Sequence, residues 1–325
     1  MSFHVHNLGL NEAIGEAVRK VGKRLYDGKA PTALHHYTRA ETVVSIADSR
    51  SLWATCLTDQ SDQSELLHAI DLVRLTAQKV ISGGVPEFTA GVLRSIASLM
   101  EERRRWFFIA CFCGNSDSRH HQGSYGNFCL RFDAPWMGKP HLTFPMSNAD
   151  YWYQRVIYDA TLQKTGLEEA LGAVATALQR YTSGHNEGPM QGWMTNSCAR
   201  IAAHQLLAIA VGFKREEFAN DDEWRIVCCP RLNPLSSAPA MADDDFAVAI
   251  RSDVRRHIEL TVPREYRLFA PTLRPAVPFT AIFPNRNACT FIELQTVREA
   301  LRHNGREELL DPGAPSFAPL AKGGM

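Results

Sequence analysis

Apolar residues recur three or four positions apart over 8–27 (Leu8, Leu10, Ile14, Val18, Val21, Leu25), the period of an amphipathic helix, with Asn11 as a cap and Gly28 as a stop. The short apolar stretch 33–37 predicts a strand. Thr38 and Glu41 then have the spacing of a capping box for a helix over 39–49. Residues 52–57 predict a second strand. The helical period returns over 63–82 and 88–104, on either side of the breaker Gly83-Gly84-Val85-Pro86. It then gives way to a nearly continuous apolar run over 106–113, as in a central strand buried on both faces. Polar residues over 114–126 predict a loop, and 128–132 the strand after it. Further strands are expected at 142–144, 155–158, 223–229, 246–250, 257–262 and 279–283. Helices are expected at 160–181, 197–211 and 292–304, with a loop over 183–192. The stretch from Asp311, with Pro, Gly and Ser, predicts disorder.

No internal repeat and no linker interrupts this order. It predicts an α+β fold in one domain over 1–310. That domain has a helical N-terminal segment at 8–27, a core over 33–285 and a C-terminal helix at 292–304, with 311–325 as a disordered tail. The 325 residues are 45% hydrophobic and 22% charged, enough for a sizeable core. Lys+Arg and Asp+Glu both number 35, so overall charge makes no case for nucleic acid or an anionic membrane as partner. No apolar run reaches the roughly 18 residues of a membrane helix, and the N-terminus lacks a signal-peptide pattern. Eight cysteines lie mostly in apolar, strand-like stretches and read as reduced, buried thiols of a cytoplasmic protein.

Several chemistries lack their motifs. There is no Gly-x-x-x-x-Gly-Lys loop, no Gly-x-Gly-x-x-Gly, no His-Glu-x-x-His and no Gly-x-Ser-x-Gly. Four stretches remain. In His35-His36-Tyr37-Thr38, strand alternation puts His36 and Thr38 on one face and His35 and Tyr37 on the other. An imidazole and a hydroxyl side by side suit the vicinal hydroxyls of a ribose, although a locally hydrogen-bonded histidine is the ordinary alternative. Asp62 and Glu65 share the first turn of a helix and suit either a polar ligand or a simple helix cap. Cys111-Phe112-Cys113 precedes His120-His121, but one residue between cysteines is not zinc spacing, and no metal is expected. Glu223 opens a strand two residues after Asp221, a natural general-base or cation-stabilising pair. Arg225 shares the face of Glu223, so a structural ion pair is the competing reading.

The order of these motifs resembles the bacterial family called domain of unknown function 2971: apolar-x-His-Tyr-Thr, Leu-Trp-Ala-Thr, Asp-x-x-Glu, Cys-Phe-Cys, Tyr-Gly, Phe-Lys and Glu-Trp-Arg, between about Leu34 and Val227. Its opening strand and helix are similar to those of mono-ADP-ribosyltransferases. That resemblance implies a split mixed or antiparallel β-sheet with flanking helices, and NAD as a substrate. It implies that His36, with Tyr37 and Thr38, binds the adenosine-side ribose. Cys113 would end the strand at the cleft, and Tyr125 would stack on nicotinamide. Glu223 would stabilise the oxocarbenium-like transition state, beside Asp221 and Arg225, with Asp62 and Glu65 as a supporting wall. The function so implied is an NAD-consuming ADP-ribosyltransferase, a toxin or phage-defence effector acting on an unidentified protein or nucleic acid, with no membrane partner. Two alternatives accompany it. One is RNA 2′-phosphotransferase-like or NAD-glycohydrolase chemistry. The other is an inactive nucleotide-binding sensor or interaction module of the same fold.

Overall fold

Stretches with alternating or continuous apolar character become strands of one nine-stranded sheet. The structure is a computed structural model of the chain. It describes residues 2–26, 31–49, 52–60, 62–114, 119–133, 149–182, 191–230, 248–249, 257–260, 279–285 and 287–310. The expected strand at 142–144, most of the expected loop at 183–192 and the tail 311–325 lie outside the described residues.

In chain order the elements are α1 Ser2–Leu25, β1 Ala33–Thr38, α2 Ala40–Ser49, β2 Leu52–Cys56, α3 Ser64–Ser82, α4 Glu87–Arg103, β3 Phe108–Cys113, α5 Arg119–Tyr125 and β4 Phe128–Asp133. They continue with β5 Ala149–Arg155, α6 Ala160–Thr182, α7 Gln191–Ala210, β6 Glu223–Pro230, β7 Val248–Ala249, β8 His257–Leu260, β9 Ala281–Pro284 and α8 Phe291–His303. Several expectations change. Asn11, expected as a cap, lies inside α1, which starts at Ser2, and the helix expected at 197–211 starts at Gln191, within the expected loop. Part of the stretch 114–126, expected as loop, is helical. The strand expected at 155–158 lies earlier, at β5. The capping box found among the described residues is at α8, where Thr290 and Glu293 satisfy each other's backbone N–H.

The sheet is covered on both faces, which is why β3 is apolar throughout. Phe108, Ala110 and Phe112 join Leu34, Phe132, Ile226, Ile282, Val297 and Leu301 in a core under α2 and α8. Ile109, on the other face, joins Val227 and the buried stripes of α1, α3, α4, α6 and α7. The α1 stripe is the one its periodicity predicts: Leu10, Ile14, Val18 and Val21 are buried. Each such side chain contributes about 1.5–3 kcal/mol on leaving water.

All pairings between the named strands are antiparallel. Parallel contacts occur as isolated bridges, Ile157 to Phe213 and Ile282 to Leu310. The sheet parts around β3. One edge of β3 is paired with β6 along its whole length, from Phe108↔Cys228 to Cys113↔Glu223. The other edge is divided. β2 takes its beginning (Cys56↔Phe108, Thr55↔Ile109), and β1 touches only its end (His35↔Cys113). β1 then continues along β4, pairing from Ala33↔Asp133 to Thr38↔Phe128. In the notch so formed, His36 Nδ1 donates to the carbonyl of Cys111 at 2.9 Å. A side chain there satisfies a backbone group that a continuous ladder would have paired.

Candidate functional site

A cleft of about 400 Å³ opens where β1, β3 and β6 part, on the side facing the helical layer. Its floor is a buried network of five charged side chains. Lys214 Nζ lies 2.9 Å from Glu65 Oε1, 2.8 Å from Asp221 Oδ2 and 3.0 Å from Glu223 Oε2. Arg225 grips the same acids from the other side: Nε donates to Glu223 Oε1 at 2.6 Å and Nη2 to Glu65 Oε2 at 2.7 Å. Its Nη1 donates to the Val211 carbonyl, just past the end of α7, at 2.7 Å. The side chains of Lys214, Asp221, Glu223 and Arg225 are each less than a tenth exposed, whereas Glu65 keeps 17% of its surface.

Local sequence explains each position. Glu223 and Arg225 lie on one face of β6 because strand side chains alternate. Glu65 stands in the first turn of α3, where a carboxylate suits the helix dipole. Lys214 is fixed through its backbone: its N–H donates to Ile157 O, and Gln163 Nε2 donates to its carbonyl at 2.7 Å. The turn before it needs Gly212, since a Cβ there would fall 2.3 Å from the Tyr26 hydroxyl. That hydroxyl donates to Ile209 O at 2.6 Å and ties α1 to the end of α7. The N–H of Glu223 donates to Tyr158 Oη at 2.9 Å.

The charges set one another's protonation. Burial pushes the Glu223 carboxyl up, but the Arg225 guanidinium, then Lys214, outweigh it and hold the acid down at about 2. Burial works against the charge on Lys214, but Glu223, Asp221 and Glu65 raise its pKa well above the ordinary lysine value. The Cys111 thiol, against Glu223, is pushed well up by burial and then by that carboxylate, so it is not a thiolate nucleophile. Burial lowers His36, and its ring is neutral with the proton on Nδ1.

The rim is aromatic. Tyr37 stacks on His121 at 5.3 Å, and His121 stacks on Tyr125 at 5.6 Å. His121 and Tyr125 stack because α5 is a helix and they lie four residues apart on it. Gly126 then turns the chain at φ 141°, its α-carbon so close to β1 that a Cβ would sit 2.3 Å from Thr38 O. Tyr125 is 51% exposed at the mouth of the cleft. Burial raises its hydroxyl pKa.

Of the residues singled out in the sequence, His36, Tyr37, Asp62, Glu65, Cys113, Tyr125, Asp221, Glu223 and Arg225 all line this cleft. Thr38 does not. It is buried next to the neighbouring strand, opposite Phe128, so the expected pairing of imidazole and hydroxyl in one cleft is absent. Asp62 bonds the start of α3 from the position before its N-cap, Gln63. It accepts from Ser64 N at 2.8 Å and Ser64 Oγ at 2.6 Å, and the Ser64 hydroxyl lowers its pKa. The ion pair foreseen between Glu223 and Arg225 exists. Lys214, which the sequence shows only as part of the Phe-Lys motif, is the hub of the network. The available signal was a lysine directly after the apolar Val211-Gly212-Phe213. His35 and His121 were also missed. Both line the cleft, and Nδ1 of His35 is buried with no hydrogen-bond partner among the described residues.

No group of three or more potential metal ligands occurs among the described residues, and no described helix is long and apolar enough to cross a membrane. The chain matches no protein-family model, no curated protein and no solved structure.

Proposed function

We propose that the protein is an NAD-consuming ADP-ribosyltransferase, with the nicotinamide end of NAD in this cleft. The observation that carries the reading is the convergence of Glu65, Asp221 and Glu223 beneath an aromatic rim ending in Tyr125. Nicotinamide in NAD is a planar cation. An exposed tyrosine ring offers it a stacking face, and the carboxylates below favour positive charge. When the bond from ribose C1 to the pyridine nitrogen breaks, its electron pair leaves with neutral nicotinamide and positive charge develops on C1. The acceptor nucleophile then bonds to C1 and gives up its proton. Glu223 contributes in this scheme by electrostatics, since both its oxygens are held by cations. A ribose hydroxyl entering the cleft competes with Lys214 for one of them.

The same saturation favours a second reading, a binding module of this fold without turnover. The test is incubation of the full-length protein with NAD, following nicotinamide release with and without DNA, RNA or cell lysate. Release that Glu223→Gln abolishes supports the transferase. Saturable NAD binding without release supports the module. Absence of both binding and release overturns the proposal. The toxin or defence role belongs to the same proposal. It predicts that growth arrest on expression depends on Glu223.

A further inference from the structure

The end of α4 carries a charge that forms no ion pair among the described residues. Arg103, the last residue of the helix, is only 6% exposed, and its Nε has no hydrogen-bond partner among the described residues. The neighbouring acid, Glu102, pairs with Arg105 at 3.6 Å. Glu102 also attracts Arg103 from a distance, but Arg200 and Arg105 both repel it, so the balance of nearby described charges is positive. Opposite α4, the helix α7 carries Arg200 and His204 four residues apart, on one face. Arg200 donates from Nε to Asn196 Oδ1 at 3.2 Å. Nδ1 of His204 is likewise buried and unpartnered, while its ring packs 5.1 Å from Phe107 and its Nε2 lies 3.8 Å from the Cys229 thiol. Burial, with the charge of Arg103 second, drives His204 down to about 3. Its imidazole is therefore neutral, a donor that adds no charge.

A guanidinium does not deprotonate inside a protein. Left buried without a counter-charge it is strongly destabilising, and an apolar side chain of similar size would do better. A counter-ion from outside the chain resolves the conflict. We propose that the cluster between α4 and α7 binds an oxyanion of the phosphate class, held by the Arg103 fork, with Arg200 and His204 as further donors. The planar fork matches two oxygens of a phosphate. This site is separate from the cleft: Cys229 lies six residues beyond Glu223 on the extended β6, roughly 20 Å away. A free phosphate group and a nucleic-acid backbone share the required chemistry.

The experiment uses the full chain in phosphate-free buffer. It is titrated with inorganic phosphate, with sodium chloride at matched ionic strength, and with a short single-stranded oligonucleotide, by thermal unfolding and calorimetry. Phosphate is expected to bind one to one and to raise the unfolding midpoint by roughly 2 °C per tenfold excess over its dissociation constant. Arg103→Leu is expected to unfold at a higher midpoint than the native chain without phosphate, and to give no response to it. Arg103→Lys keeps the charge without the fork. It is expected to weaken binding at least about tenfold, and it serves if the leucine variant does not fold. A response to phosphate assigns the site to small molecules, and a response to the oligonucleotide alone assigns it to nucleic acid. The proposal is overturned if neither ligand moves the midpoint beyond chloride, or if Arg103→Leu responds as the native chain does.

Discussion

Lys214 and Arg225 between them bind every oxygen of Glu223 and Glu65, so the charged floor of the cleft behaves as one unit. Glu223→Gln keeps the shape but leaves two buried cations short of a carboxylate. It is expected to lower unfolding free energy by about 3 kcal/mol in chemical denaturation. An unchanged midpoint would mean that the network is solvated and not structural. The pH dependence has a definite sign. The Glu223 carboxyl titrates at about 2 in the folded chain, below its ordinary value. Its contribution is therefore complete above the ordinary carboxylate value and is lost as pH falls from there toward 2. Acid unfolding curves of the native chain and Glu223→Gln are expected to converge over that window. Tyr125 makes the opposite case. It is half exposed, so Tyr125→Ala is expected to leave the unfolding midpoint within about 1 °C while weakening NAD binding roughly two- to tenfold, the value of one stacked ring. Equal binding by both proteins would remove Tyr125 from the site. At this scale the sequence showed the acids and the aromatic ring but hid the lysine, because a lysine's burial depends on partners that spacing does not reveal.

Among the elements, the parting of β1 from β3 is what makes a cleft. A continuous ladder would have buried the Cys111 carbonyl against another strand, whereas here the His36 imidazole satisfies it. His36→Leu is expected to cost about 1–3 kcal/mol, the penalty of a carbonyl left without a donor, measured by urea unfolding. A neutral result would mean that water takes over the bond. The junction of α5 with β1 is as constrained. Gly126→Ala places a methyl group against the Thr38 backbone at a φ few other residues adopt. It is expected to destabilise the protein by at least about 2 kcal/mol and to displace Tyr125 from its stack, read as a change in near-ultraviolet circular dichroism. Strand and helix positions were mostly legible, because the two periods differ. The helix α5 was not. Ser, His and Gly are weak helix formers, and what orders the segment is the stacking of Tyr37 on His121.

Among the described residues, two large apolar layers share one sheet, with a small cluster of Tyr37, Cys113 and Cys129 beside them. The helices α1, α3, α4, α6 and α7 form one, and α2 with α8 the other. Among the described residues neither layer has a second sheet to cover, so loss of β3 strips both. Thermal unfolding is expected to show a single transition, with helical signal and tryptophan fluorescence changing together. Two separated transitions would divide the chain into independent units.

By itself, the sequence determined most of the elements and their buried faces, and put Glu223 and Arg225 on one strand face, because these follow from periods of two and 3.6 within single segments. The tertiary structure decided which charges meet. Glu65 and Arg225 stand 160 positions apart and touch because β6 lies on β3 while α3 packs beneath them. Likewise Arg103 belongs to an ordinary basic run in sequence, and only the packing of α4 on α7 buries it and leaves its Nε without a partner among the described residues. Ion pairs and buried cations carry no periodic signature, since their energy depends on distance and solvent exclusion, which the fold alone supplies.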